Sequence, residues 1–293
     1  TRDAEAGDQL FTYNLAVACD FPFCNSATSG NPTKLGVLSV VTTIINQING
    51  VWEEEATIRF VLNNNTDDLF FVNQATDPYT FFGTTGNSRE MLDKNPQVID
   101  SVLGINNYDI GHGFSRAGSS QGITVVGTGY FRSVCASGQG TLFDPHRANG
   151  ASVAIGLPQS LQFLRTLAHE LGHQFNARHS FNISDAVCGP ARDGTRPFEP
   201  ESGSTIMSYA GACSGDLQGS PDLYFNTGSY ELIHQFSRTS TPCLEAQATT
   251  GNTAPTINST GISGTHLPVQ TPFELTVDAT DAETPAPLTY NWE

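Results

Sequence analysis

Residues 169–179 read His169-Glu170-Leu171-Gly172-His173-Gln174-Phe175-Asn176-Ala177-Arg178-His179, so three histidines and a carboxylate lie within eleven positions. His169 and His173 are four residues apart, so on a helix they share one face and both imidazoles can bind one metal ion. Glu170 lies on the next face, within reach of a water in an open metal position, and is the candidate general base. The segment therefore predicts a zinc ion held by a helix.

The third histidine requires a change of chain direction. Ten residues of straight helix would carry His179 roughly 15 Å along the helix axis from His169. Asn176 is best placed for the turn, because asparagine accepts the left-handed conformation that ends a helix more readily than most residues. We expect the chain to turn at Asn176 and to return His179 as the third ligand.

This motif resembles the signature of the metzincin metallopeptidases, H-E-x-x-H-x-x-G-x-x-H, with Asn176 at the position of the glycine. The segment Gly203-Ser204-Thr205-Ile206-Met207-Ser208-Tyr209, whose methionine follows His179 by 28 residues, is similar to the methionine-bearing turn of that family. The resemblance implies that Met207 forms an apolar floor beneath the metal. Ordinary core packing is the alternative for Met207.

Tyr209 matches the Met-x-Tyr pattern of astacin-like and serralysin-like metzincins. The resemblance implies that its phenol is an additional zinc ligand or a donor to the oxyanion that forms during peptide hydrolysis. A tyrosine that anchors a buried turn through its hydroxyl is the alternative.

The resemblance covers about residues 8–243 and is closest to secreted bacterial reprolysin-like enzymes. It implies an α/β fold, in which a mixed five-stranded sheet with backing helices and the active-site helix lies above a loop-rich lower subdomain. The implied function is a secreted, extracellular zinc-dependent endopeptidase that acts on protein or peptide substrates. The implied site has His169, His173 and His179 as zinc ligands and Glu170 as general base. A propeptide is expected in the precursor, and the mature protein is expected to be a monomer.

Two other classes of protein remain open at this point. An extracellular binding or adhesion protein with structural zinc would have a fourth protein ligand and no exchangeable water. A zinc amidase or deformylase would share the helix, but the third histidine and the methionine turn argue against it. A serine nucleophile at Ser120 has the Gly-x-Ser-x-Gly pattern but lacks the following helix that this motif requires.

Charge and composition narrow the class of partner. The chain has 13 basic and 29 acidic residues, which argues against nucleic-acid binding. No apolar run approaches the length of a membrane span, and the first nine residues lack the pattern of a signal peptide, so a mature, processed form is expected.

Six cysteines form an even set without metal-ligand spacing, so disulfides are expected, as in an oxidising compartment. Fifteen pairings are possible. The set that we favour pairs Cys19 with Cys24, Cys188 with Cys213, and Cys135 with Cys243. Free buried thiols are the alternative, as is an inhibitory zinc-binding segment at Cys19 or Cys24.

The hydrophobic pattern predicts strands that alternate with helices. Strands are predicted at residues 8–17, 57–62, 108–114, 122–127 and 152–155. Helices are predicted to begin at Asn31-Pro32 and Asn95-Pro96, with proline just inside the start, and to occupy residues 161–175 and 230–237.

The composition changes after Cys243. We expect a catalytic domain at residues 1–245, a polar linker at 246–255, and an incomplete immunoglobulin-like β module at 256–293. Calcium is possible at the acidic loops that contain Asp67, Asp68, Asp278 and Asp281, but no twelve-residue calcium loop is present and solvated turns are favoured. The remaining histidines are interpreted as structural or surface residues: His112, His146, His234 and His266.

Overall fold

The centre of the molecule is a mixed β-sheet built around one long strand. The computed structural model describes residues 7–79, 88–117, 126–240, 246–260, 266–274 and 276–283, together with residues 243, 288 and 290. Its elements are, in chain order, β1 (Gln9–Cys19), α1 (Phe21–Ala27), α2 (Lys34–Ala56), β2 (Ile58–Leu62), α3 (Ser88–Leu103), β3 (Ile110–Arg116), β4 (Gly127–Gly129), β5 (Ser137–Thr141), β6 (Asp144–His146), β7 (Gly150–Ala154), α4 (Leu161–Gln174), α5 (Thr227–Gln235), β8 (Ala246–Thr249), β9 (Thr256–Thr260) and β10 (Val277–Thr280).

The strand order of the sheet is β2-β1-β3-β7-β4. The first four of these strands are parallel, and β4 runs antiparallel to β7 at the edge. The predicted α/β class and mixed five-stranded sheet are confirmed, and β8 adds a sixth strand. Phe11 pairs with both Ile58 of β2 and Gln247 of β8, so β8 lies on the other edge of β1 from β2.

Helix α2 crosses one face of this sheet and supplies much of the core. Its N-cap is Thr33, whose hydroxyl accepts a hydrogen bond from the Gly36 amide at 3.1 Å, so the predicted start at Asn31-Pro32 was early. The helix has 23 residues, and an 18-residue window within it has a mean hydropathy of 1.3, so by length and composition alone it could cross a membrane, which corrects the expectation that no run does. Its apolar face is nevertheless buried within the domain core, through residues such as Val41, Ile48 and Trp52.

Helix α3 begins at Ser88, well before the predicted start at Asn95-Pro96. Pro96 lies inside the helix, where it cannot donate to the Leu92 carbonyl one turn earlier. The side-chain amide of Asn149 donates to that carbonyl at 3.2 Å, so the acceptor keeps a partner and the proline is tolerated.

Two of the three predicted disulfides are present, Cys135–Cys243 and Cys188–Cys213. The pairing of Cys19 with Cys24 was wrong, because both are buried free thiols. An unpredicted helix, α1, follows β1 at once and is capped by the Asp20 side chain, which accepts from the Phe23 amide at 2.8 Å. In this arrangement the Cys24 thiol donates to the Cys19 carbonyl, with an Sγ to O distance of 3.6 Å.

The C-terminal part departs from the predicted linker, since residues 246–249 form strand β8 on the main sheet. Beyond it, β9 and β10 pair in a two-stranded antiparallel sheet. The immunoglobulin-like module stays a prediction. The predicted strand at residues 122–127 and the Ser120 loop lie wholly or mainly outside the described residues.

Candidate active site

The histidine segment lies on helix α4, which packs against β4 and β7. The hydroxyl of Ser160 caps the helix by accepting from the Phe163 amide at 3.3 Å. The apolar side of the helix is buried in the core through Phe163, Leu167 and Leu171. This packing turns the opposite face, with His169, Glu170 and His173, toward a cleft.

Helix α4 ends where the sequence analysis placed the turn. Asn176 has a φ of 75°, in the left-handed region. The Asn176 amide donates to the His173 carbonyl and the Ala177 amide donates to the Gly172 carbonyl, both at 2.8 Å. These two bonds form a Schellman motif, which ends the helix while its last carbonyls stay paired.

The turn brings the three histidines together. The Nε2 atom of His179 lies 3.2 Å from Nε2 of His169 and 3.1 Å from Nε2 of His173. Two nitrogens held 2.0–2.1 Å from one tetrahedral ion lie about 3.3 Å apart. Both of these distances fit shared binding of one zinc ion, and all three ligand nitrogens lie within 4.8 Å of one another.

The other ring nitrogen of each histidine faces a backbone carbonyl. The Nδ1 atoms of His169, His173 and His179 lie 2.7, 2.8 and 2.7 Å from the carbonyl oxygens of Ile206, Ala177 and Ala191. A carbonyl only accepts, so Nδ1 carries the proton and Nε2 presents a lone pair. Three lone pairs directed at one another repel unless a cation lies between them, so the arrangement fits a metal.

Burial also favours the neutral form of these imidazoles, which is the form that binds metal. Burial, followed by the neighbouring His179, lowers the pKa of His169 to about 3. Burial lowers the pKa of His173 well below its ordinary value, and it lowers the pKa of His179 as well.

The floor of the site is formed by the segment around Met207, which is fully buried. A Cβ atom on Gly172 would overlap Met207 Sδ, so this close approach to α4 requires glycine. The carbonyl before the methionine, on Ile206, accepts from His169, and the Met207 carbonyl accepts from the Ser180 amide at 3.2 Å. The turn thus contacts the first and third histidine segments at once.

A buried carboxylate that the sequence analysis missed holds this floor in place. Glu199 accepts from the amides of Ser204 and Thr205 at 2.8 and 3.0 Å, and from Asn226 Nδ2 at 3.1 Å. It also accepts from the hydroxyls of Thr205 and Ser180, the residue next to His179. No motif marks Glu199, because its partners come from three separated segments.

Glu170 lies beside the histidines and under the edge strand β4. It is buried, and its Oε2 atom has no hydrogen-bond partner among the described residues. Burial raises its pKa well above the ordinary value, while the Gly129 backbone lowers it. A Cβ on Gly127 would overlap Glu170 Oε1, so β4 needs glycine to pass this close. The unpartnered oxygen is suited to a reacting water.

Tyr209 completes the wall next to the third histidine. Its ring centroid lies 4.6 Å from that of His179 and 5.9 Å from that of His169. Burial, followed by the charge of Glu170, raises the pKa of Tyr209 to about 12. The phenol therefore stays protonated at neutral pH and is available as a donor.

A cavity of about 380 Å³ opens beside His169 and Glu170. One wall is a face of α4, and the other walls are the start of β4 and the residues that follow the methionine turn. The residues that line it are Val126, Gly127, Gln162, Arg165, Thr166, His169, Glu170, Ile206, Ser208–Ala212 and Gly219–Pro221. A larger depression of about 800 Å³ lies between α2 and β2, away from the histidines.

The remaining candidates lie apart from this centre. His112 is buried with both ring nitrogens paired, and His146 pairs with Asp100 at 3.1 Å. Within the described residues, none of the aspartates considered for calcium joins a cluster of three possible ligands, so calcium gains no support: Asp67, Asp68, Asp278 and Asp281. Asp68 instead pairs with Lys34 at 2.6 Å.

Together, the fold and the geometry of the three histidines define a metallopeptidase of the metzincin type, as the sequence predicted. A family model, Reprolysin_5 of metallo-peptidase family M12, matches residues 10–218, and the chain belongs to this family. Among solved structures it is similar to mirolysin in complex with compound 9, with 15% identity and a TM-score of 0.42 over 79% of this chain and 93% of that one. No curated protein matches.

Proposed function

We propose that the chain is a secreted zinc-dependent endopeptidase. His169, His173 and His179 bind the zinc ion, and Glu170 is the general base. The observation that carries the proposal is the convergence of three imidazoles, in which Nε2 of His179 lies 3.1–3.2 Å from Nε2 of the other two and each Nδ1 faces a carbonyl. The family match also supports a metal at this site, because family M12 consists of metallo-peptidases.

A zinc ion held by the three histidines would lower the pKa of a bound water and polarise the scissile carbonyl. The carboxylate of Glu170, whose Oε2 atom has no hydrogen-bond partner among the described residues, would accept a proton from the attacking water and pass it to the leaving amine. Tyr209, with its protonated phenol beside His179, donates a hydrogen bond to the oxyanion of the tetrahedral intermediate.

A purely structural zinc site would need a fourth protein ligand. Within the part of the chain that the structure describes, no fourth histidine, cysteine or carboxylate joins the cluster of three histidines. The cluster also opens onto a cavity. Both features favour catalysis over the adhesion alternative.

Localisation outside the cell is supported by the two disulfides, which persist in oxidising compartments. Protein or peptide substrates follow from the family. A precursor with a propeptide and a monomeric mature enzyme are part of the same proposal.

The test is a comparison of Glu170→Gln with the wild-type enzyme, using zinc content and cleavage of a peptide library. The variant should keep one zinc per chain, while kcat/KM falls by about 10²- to 10⁴-fold because the base is lost. Glu54→Gln, on the exposed face of α2, is the matched control and should retain full activity. Cleavage by Glu170→Gln at the wild-type rate, with zinc bound, rejects the mechanism.

A further inference from the structure

Among the described residues that line the 380 Å³ cavity beside the metal site, Arg165 is the one arginine or lysine. It lies on the face of α4 that also carries Gln162, Thr166 and His169, since residues spaced by three, four and seven positions share one side of a helix. Apart from Glu170 and His169, at the metal end, the other lining residues are neutral.

No partner of Arg165 within the described residues explains its position. Its Nε atom is buried and has no hydrogen bond, and within the described residues no carboxylate lies in ion-pair distance of its guanidinium. An arginine retained for stability would usually be paired, because a buried donor without an acceptor costs free energy. The missing acceptor is therefore expected from outside the chain.

We infer that Arg165 makes this cavity selective for a carboxylate side chain, so the preferred substrates have aspartate or glutamate directly beside the scissile bond. This inference rests on the proposed peptidase function. The cavity adjoins both His169 and Glu170, so a side chain that fills it belongs to a residue next to the reacting carbonyl. A carboxylate accepts from Nε and a terminal nitrogen of the guanidinium at once.

The net charge of the chain limits this preference to a single position. At −16, the protein repels strongly acidic peptides as a whole, whereas the Arg165 guanidinium in the cavity attracts one carboxylate. One acidic residue in an otherwise neutral or basic peptide is therefore the expected substrate.

The experiment uses the zinc-loaded full chain and quenched fluorescent peptides that differ only in glutamate, glutamine or lysine. The variable residue is placed on either side of the scissile bond in separate series. At one of these two positions the wild type should cleave the glutamate peptide roughly tenfold faster than the glutamine peptide, measured as kcat/KM. Arg165→Met should reduce that ratio to about one, and Arg165→Glu should make the lysine peptide the best substrate.

Arg59→Met removes one positive charge from β2, in the other depression, and should leave the wild-type ratio unchanged. A wild-type ratio of one or less at both positions overturns the inference without any variant. A ratio that survives in folded Arg165→Met also overturns it. Failure of the wild type to cleave any peptide, the neutral series included, would instead count against the proposed function.

Discussion

The three active-site histidines and the core histidine His112 differ in how their ring nitrogens are used. His112, in the middle of β3, has Nδ1 at 2.8 Å from Gln174 Oε1 and Nε2 at 2.9 Å from Ser152 Oγ. Each histidine of the active site has a backbone carbonyl at Nδ1 and only other histidines at Nε2. His112, His169 and His173 are all buried, so burial alone does not distinguish a ligand from a core residue. The unpaired Nε2 does.

The largest effect is expected from a change at the metal site. His173→Gln should remove zinc binding and lower kcat/KM by about a thousand-fold or more, because the metal contributes several kcal/mol to the transition state. Wild-type enzyme in zinc at about 1,000 times its dissociation constant should be about 4 kcal/mol more stable than in chelator. Urea unfolding with and without chelator measures this difference, which should vanish in His173→Gln.

The matched comparison is His112→Gln, which should keep the zinc-dependent increase in stability. If both variants lost it, the distinction drawn from the ring nitrogens would fail.

The second effect concerns pH. Burial lowers the pKa of His112 from 6.5 to about 4. Between these two values the unfolded chain binds a proton that the folded chain excludes, so stability is complete above pH 6.5 and is lost as pH falls toward 4. The contribution is at most about 3 kcal/mol.

Urea unfolding of wild type and His112→Gln in chelator, from pH 7 to pH 4.5, isolates this term, since the active-site histidines contribute equally to both. The variant should show the shallower decline. Parallel curves would mean that His112 does not titrate with a lowered pKa.

A feature of the site was predictable from the sequence when the residues that form it lie close together along the chain. The spacing of His169 and His173, and the turn at Asn176, are local features, and the Schellman bonds join residues within the same segment. The carbonyls that orient His169 and His179 lie 37 and 12 residues away. Every residue has a carbonyl, so no sequence pattern marks the ones that are used.

The errors in the predicted elements also arise from partners that are distant along the chain. The start of α3 was placed at Pro96 because a proline normally ends or begins a helix, yet Asn149 supplies the missing donor from a distant loop. Residues 246–249 have the polar composition of a linker, but the free edge of β1 beside residues 9–12 provides backbone partners for a strand.

The third prediction concerns Glu199, which holds the segment that carries the Ile206 carbonyl, the partner of His169. Glu199→Gln replaces an acceptor-only group by one that carries donors, which leaves amides or hydroxyls near Met207 unpaired. We expect a loss of about 2 kcal/mol in stability and a fall in kcat/KM of about tenfold, with zinc affinity reduced in parallel. Guanidinium unfolding and zinc competition with a chelating dye measure the two effects. Unchanged zinc affinity in a destabilised variant would limit Glu199 to a structural role.

The smallest effect is expected at Asn176. The next residue, Ala177, provides the carbonyl that accepts from His173 Nδ1. Asn176→Gly removes the Cβ penalty of the left-handed conformation at φ 75° and should stabilise the protein by less than about 1 kcal/mol with full activity. Asn176→Ala keeps the Cβ and replaces asparagine by a residue that tolerates the left-handed conformation less well, so it should be less stable than wild type by about 1 kcal/mol. Thermal unfolding of the three proteins orders them. Because the same turn positions the carbonyl that accepts from His173, zinc affinity should follow the same order as stability. If the three proteins differ in stability but bind zinc equally, the turn ends the helix without orienting the His173 ligand.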